Sequence, residues 1–351
     1  MAIPEGVGDI IALSRTPSTD TEVVLRKLLS DSAFTARTAC CVLCVALVLA
    51  PQARAQARAQ ARAQGLQQSG ARADTAALHH ALDSIADAHH GTVGYSVIDL
   101  DNGDRISRRG DETFPTASLI KVGILVTLYD QVAKGNISLD DPVTVLRIDQ
   151  VPGSGIVQFL HNGITLSIHD AAWLMTTISD NTATNLILDR IGMRSMWDKM
   201  ESLGLHHTKV HAKVFKRSTS IAMDSSVKYG LGVTTPNEMA HLFELLAAGK
   251  AVNPQADSAM LYILEHNDDQ TLLQHYLDGV RAAHKTGADD QVRTECSLFY
   301  LRHRVVACVL TKDNKDTRWV LDSEPLITMG RMGYAIFQAW GPAPPAAVAK
   351  E

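Results

Sequence analysis

Aromatic residues are scarce here, 5% of 351 residues, and no block of like charge interrupts a chain with 33 Lys+Arg against 38 Asp+Glu. A nucleic-acid surface needs a basic stripe and stacking rings, so no nucleic-acid partner is expected. Three sequence patterns are also missing: the G-x-S-x-G elbow, the H-E-x-x-H helix and the G-x-x-x-x-G-K-[ST] loop. Their absence removes the elbow-type serine hydrolases, the zincins and the P-loop NTPases. The 14 histidines include the pairs His79-His80, His89-His90 and His206-His207, but none has the spacing of a ligand set. They read as surface or capping residues, and neither a metal nor an organic cofactor is expected.

Cysteine is sparse as well, and unevenly placed. Cys40, Cys41 and Cys44 lie inside the apolar run Thr38–Ala50, none in the leucine-led small-residue context of lipid attachment. That run follows Arg37 and precedes Pro51; it has the length of a signal-peptide core and is too short to span a bilayer. Cleavage sites of small-x-small type occur from Ala53-Arg54-Ala55 into an Ala-Arg-Ala-Gln repeat ending near Gln64. An exported protein with a signal peptide at about 37–55 is expected, with no stable membrane insertion once that peptide is cleaved; an uncleaved anchor is the other reading. The residues before the run are long and acidic for a signal n-region, and a start at Val23, Val24 or Leu25 would give an ordinary one. Residues 1–65 are therefore excluded from the fold, and 344–351 form a Pro- and Ala-rich tail. Only Cys296 and Cys308 remain, flanking a predicted hairpin, where they can pair or stand as two buried strand thiols.

In the rest of the chain, Asp74 to Ala88 carries Ala77, Leu78, Leu82, Ile85 and Ala86 at helical spacing. Val93–Ile98 and the segment from Arg105 read as strands joined by the turn Asp101-Asn102-Gly103-Asp104. Leu119–Val132 is apolar on nearly every face, which predicts a helix buried at the centre. Helix and loop then dominate to about Tyr229. Thr235-Pro236 opens a helix over Asn237–Ala248, strands follow over Cys296–Leu301 and Val305–Thr311, and a last helix runs near Ile327–Trp340. Strands from both ends around a helical middle predict an α/β (α+β) fold: an antiparallel sheet of about five strands flanked by helices, with an inserted all-α subdomain. The expected catalytic domain is 66–343, with its α/β part over about 66–117 and 236–343 and its all-α part over about 118–235.

Ser118-Leu119-Ile120-Lys121 begins the buried helix, Ser179-Asp180-Asn181 follows a helix, and Lys285-Thr286-Gly287 leads into the C-terminal strands. The spacing of three sets Lys121 one turn from Ser118 on the same face. Its apolar neighbours would strip water from the amine and lower its pKa, so that it can take the serine proton. A second Ser-x-x-Lys, Ser225 to Lys228, reads as chance in a polar loop.

Together the three motifs resemble the class A β-lactamases and penicillin-binding proteins, whose signatures are S-x-x-K, S-D-N and K-T-G. The likeness extends to Pro152–Gln158, Leu174-Met175, Thr182–Asn185 and Val233–Pro236, and covers about residues 74–341. It implies that Ser118 attacks a β-lactam carbonyl, that Lys121 is base or proton relay, and that Ser179 passes a proton to the leaving nitrogen. It implies further that Asn181 binds the substrate side-chain amide and that Asp180 braces its own loop. Lys285, Thr286 and Arg293 would bind the substrate carboxylate, Gly287 would allow close approach, and the Ser118 and Ala288 N–H groups would form an oxyanion hole.

The pattern breaks at one place. The loop glutamate that deacylates class A enzymes is expected near Phe215–Thr219, and Lys213–Ile221 contains no carboxylate. Of Asp189, Asp198, Glu201 and Asp224, the first three fall in predicted helices, so Asp224 is the candidate substitute base. Slow deacylation follows as an expectation. The alternatives are a D,D-peptidase or esterase acting on cell-wall peptide, whose anionic groups the basic residues Lys209, Lys213, Lys216 and Arg217 could meet, or a binding protein that keeps the fold. A monomer is expected.

Overall fold

The computed structural model describes residues 73–342. The apolar run 38–50, the Ala-Arg-Ala-Gln tract and the tail 344–351 lie outside the described residues.

The first helix, α1 (Thr75–Asp87), starts where the Asp74 carboxylate accepts the Ala77 N–H at 2.9 Å, and it buries Leu78, Leu82 and Ala86. Strands β1 (Thr92–Asp99) and β2 (Arg105–Arg108) follow, then the short β3 (Phe114–Pro115). A 3-10 turn, Ala117–Ile120, runs directly into α2 (Lys121–Ala133), buried at every residue from Lys121 to Asp130. The ribbon β4 (Pro142–Thr144) and β5 (Thr165–Ser167) leads to α3 (Ile168–Thr177), α4 (Asn181–Ile191) and α5 (Met193–Ser202). Next come β6 (Lys209–Val210), α6 (Met223–Tyr229), β7 (Gly232–Thr234), α7 (Pro236–Ala247) and α8 (Pro254–Leu264). The chain closes with β8 (Ala282–Asp289), β9 (Val292–Tyr300), β10 (Arg304–Lys312) and α9 (Glu324–Trp340).

The main sheet has five strands in the order β2-β1-β10-β9-β8, antiparallel throughout, so the predicted fold class is the observed one. Alternation along the strands sends side chains to two different cores. Tyr95, Val97, Phe299, Val305 and Val309 pack with α1 and α9, whereas Ile98, Leu298, Val306 and Leu310 join the larger core around α2. Because β8 lies at the sheet edge, it is free to approach the 3-10 turn. Gly287 permits the contact: a Cβ there would stand 2.4 Å from the Thr116 carbonyl oxygen and 2.7 Å from the Leu119 nitrogen.

Several expectations are corrected. The second Ser-x-x-Lys and Asp224 lie in a short helix, α6, and not in a loop, because Met223–Tyr229 closes about two turns before Gly230 stops it with φ +69°. The last helix starts at Glu324, three residues earlier than expected, since Pro325 suits a first turn. His89 is buried and bonded: Nδ1 lies 3.1 Å from Thr328 Oγ1 and Nε2 lies 2.8 Å from Asn314 Oδ1. Cys296 and Cys308 face each other across β9 and β10 and form a disulfide. Among the described residues no helix is long and apolar enough to cross a membrane.

Candidate active site

The 3-10 turn presents Ser118 at the wall of a cleft of about 960 Å³, which Asn181, Val214, Phe215, Tyr229 and Ala288 also line. Ala117, just before the serine, holds a left-handed backbone at φ +44°, and Ser179 does the same at φ +57°. For non-glycine residues such geometry costs about 1–3 kcal/mol, and here packing maintains it at two positions beside the cleft.

Lys121 is 1% exposed. Its Nζ lies 2.7 Å from the Ser179 carbonyl oxygen, 3.0 Å from Asn181 Oδ1 and 3.1 Å from Ser179 Oγ. No carboxylate pairs directly with it, and a buried unpaired ammonium costs several kcal/mol. Burial, helped by the Lys285 charge and opposed by Asp180, therefore holds its pKa well below the ordinary lysine range. A neutral amine has two N–H bonds, which the Ser179 carbonyl and Asn181 Oδ1 can accept, leaving its lone pair for a hydroxyl proton.

Lys285, on β8, reaches the same serine from the opposite side: Nζ donates to Ser179 Oγ at 3.2 Å and to the Thr286 carbonyl at 2.9 Å. Burial lowers its pKa to about 8, with Asp269, Glu295 and Asp268 acting against the shift. Ser179 Oγ thus lies between two buried lysines, one held well below the ordinary lysine range and one lowered to about 8. Asp180 caps α4 through the Ala183 N–H at 2.9 Å, and its other oxygen accepts the Val157 N–H at 2.8 Å. That contact ties the loop 152–158 to α4. It is so close that a Cβ on Gly155, whose φ is +97°, would stand 2.1 Å from Asp180 Oδ2.

Ser118, Lys121, Ser179, Asn181, Lys285, Gly287 and Ala288 are brought together. Thr286 lies next to them, but its hydroxyl donates to Asp269 Oδ2 at 2.8 Å. Arg293 is absent from the lining of the Ser118 cleft but stands opposite Ala288 on the neighbouring strand. Adjacent β9 residues face opposite sides: Thr294 donates to the Thr116 carbonyl at 2.8 Å, and Arg293 turns the other way. Its Nη1 bonds the Asp289 and Val292 carbonyls, and its guanidinium carbon lies 4.3 Å from the centre of the Trp319 ring. Asp224 is exposed on the first turn of α6, which presents Ser226 and Tyr229 to the cleft instead.

Phe215 stands in the loop where a carboxylate was sought, with φ +56° and 67% exposure. Its ring lies against Gly153, which also adjoins Asn181. Three of the four basic residues noted in the sequence are tied to protein groups: Lys209 to Glu201, Lys213 to Asp189 and Lys216 to the Ile148 carbonyl. Sequence reasoning missed Asp269 and Trp319, because neither belongs to a short motif. Among the described residues no group of three or more His, Cys, Asp or Glu is placed to hold a metal ion.

Comparison with known proteins agrees with this geometry. The β-lactamase enzyme family matches over residues 77–340. β-Lactamase AER-1 of Aeromonas hydrophila is 28% identical over an alignment that covers 61% of this chain and 70% of AER-1. PSE-4 of Pseudomonas aeruginosa is 28% identical over 34% of this chain, which spans 41% of PSE-4. Among solved structures, a β-lactamase from Sphaerobacter thermophilus superposes with a TM-score of 0.68 at 28% identity, covering 78% of this chain and all of that one (100%). PBP-A superposes with a TM-score of 0.66 at 26% identity, covering 75% of this chain and 95% of that one; a mutant of PBP-A has been solved as its acyl-enzyme complex with penicillin G. The chain belongs to the β-lactamase enzyme family, as a serine hydrolase of the class A β-lactamase and penicillin-binding-protein type.

Proposed function

We propose that the protein is an exported hydrolase that β-lactams acylate at Ser118, and that it releases the acyl group slowly. The carrying observation is the Lys121 amine, buried and unpaired by any carboxylate, one turn from a serine that lines an open cleft. Neutral Lys121 takes the Ser118 proton as Oγ attacks the lactam carbonyl carbon. The N–H groups of Ser118 and Ala288 hold the oxyanion. The carbon–nitrogen bond then breaks, and Ser179 Oγ gives its proton to the leaving nitrogen and regains one from the Lys121 and Lys285 pair. Asn181 binds the substrate side-chain amide.

Release requires a base to activate water, and the loop 213–221 supplies none. Asp224, exposed outside the cleft lining, could act only after a rearrangement of α6. The same loop favours a second reading, a D,D-peptidase-like protein for which β-lactams are adventitious acylating agents; the likeness to PBP-A supports it.

The test is a time course of intact-protein mass spectrometry with benzylpenicillin, using Ser118→Ala as control. A long-lived adduct confined to the wild type is the expected result. Rapid loss of the adduct, with steady formation of penicilloic acid, would reject slow release. The absence of any adduct would reject the assignment of Ser118.

A further inference from the structure

Trp319 belongs to the connection between β10 and α9, and its ring stands 64% exposed at the edge of the Ser118 cleft. Its Nε1 donates to Asp290 Oδ1 at 3.3 Å, and the Arg293 guanidinium carbon lies 4.3 Å from the ring centre. Both contacts tie the ring to the β8–β9 hairpin. Trp319 also borders a second cavity, a recess of about 340 Å³ walled by the segments 318–321 and 269–272. Ala288 lines both spaces. The recess therefore begins at the very residue whose N–H is assigned to the oxyanion, within reach of a substituent on a molecule held at Ser118.

The charged side chains of the recess are already engaged. Arg318 makes a two-point pair with Asp316 at 2.9 and 2.7 Å, and Arg293 Nη1 bonds the Asp289 and Val292 carbonyls. One Asp269 oxygen accepts the Thr286 hydroxyl at 2.8 Å; the other accepts the Thr271 N–H at 3.2 Å and the Thr271 hydroxyl at 2.6 Å. What the walls offer a ligand is apolar: Leu272, Val320, Leu321 and Leu326, with the Trp319 ring. Val320 and Leu321 are 44% and 64% exposed, so a group that covers them removes apolar surface from water.

We propose that this recess is a subsite of the Ser118 cleft that takes an apolar substituent of the acylating molecule, aryl or branched alkyl, with Trp319 as the wall common to both spaces. An aryl group seated there buries its own surface together with that of Val320 and Leu321. A charged substituent would give up its water and find Arg293, Arg318 and Asp269 already paired. The inference rests on Ser118 as the acylated residue.

The test uses two cephalosporins with the same acylamino side chain, one bearing a methyl group and the other a styryl group on the dihydrothiazine ring. Quenched-flow mass spectrometry gives each rate of Ser118 acylation, which is divided by that probe's own rate of alkaline hydrolysis. The styryl-to-methyl ratio within one protein is independent of the fraction folded. In the wild type the ratio is expected to be about tenfold or more. Leu321→Asp and Trp319→Ala are each expected to lower it about tenfold, which is about 1.4 kcal/mol. Val227→Asp, which charges an exposed apolar residue of α6 that lines neither space, is expected to keep it. A wild-type ratio near one, a ratio that fails to fall in either Leu321→Asp or Trp319→Ala, or an equal loss in Val227→Asp overturns the proposal while leaving Ser118 as nucleophile. If neither probe labels Ser118, the functional reading fails and this inference fails with it.

Discussion

Residues 118–121 and 225–228 carry the same Ser-x-x-Lys pattern, both on helical backbone, and the fold treats them oppositely. The first opens into α2, a 13-residue helix surrounded by other helices, and its lysine is 1% exposed. The second lies in α6, a 7-residue helix at the surface, and its lysine is exposed, with Nζ 4.8 Å from the centre of the Tyr229 ring. Spacing places a lysine beside a serine in both cases. Only burial makes the amine a base at neutral pH, because water stabilises the charged form wherever it can reach it.

The comparison breaks most sharply under alanine substitution. Lys121→Ala is expected to slow acylation about a thousandfold, within the range for loss of a general base, whereas Lys228→Ala leaves the rate unchanged; stopped-flow reporting with a chromogenic β-lactam measures both. A smaller effect is expected from supplying the missing carboxylate. Phe215→Glu should speed loss of the acyl adduct about a hundredfold without changing its formation, as followed by mass spectrometry over time.

The pH profile sharpens the comparison further. The acid limb of acylation belongs to Lys121, whose pKa burial holds well below the ordinary lysine range. The alkaline limb should fall near the Lys285 value of about 8, because above it the amine gives up the positive charge that faces Ser179. Lys285→Arg keeps its charge through this range and should remove that limb while lowering the maximum. The smallest effect is expected at the surface pair: Ser225→Ala and Lys228→Ala should each change unfolding free energy by no more than about 0.5 kcal/mol in urea titrations.

Periodicity and end signals were enough to read α1, the buried α2, α7 and the β9–β10 hairpin, because each has a repeat and a stop that the chain itself encodes. The grouping of Ser118, Lys121, Ser179 and Lys285 was also legible, through spaced motifs that the sheet edge and α4 bring face to face. What was not legible depends on contacts between distant segments. The Arg293 side chain lies against Trp319, in a phase along β9 that pairing with β8 and β10 sets. Asp269 acquires meaning only from Thr286, and His89 only from Asn314 and Thr328. The short strands β3, β6 and β7 are too brief to leave a period of their own and form because their neighbours offer free backbone groups.

The disulfide between Cys296 and Cys308 acts as an alignment pin. In a strand, sliding by one residue exchanges the two faces. Such a slip of β9 would turn Arg293 toward the nucleophile's turn and Thr294 away from Thr116, while carrying Cys296 off the face it shares with Cys308. The covalent link therefore keeps the Thr294 hydroxyl on the Thr116 carbonyl and the Arg293 guanidinium on the Trp319 ring, and oxidation of the hairpin becomes a step in setting which β9 side chain meets the nucleophile's turn.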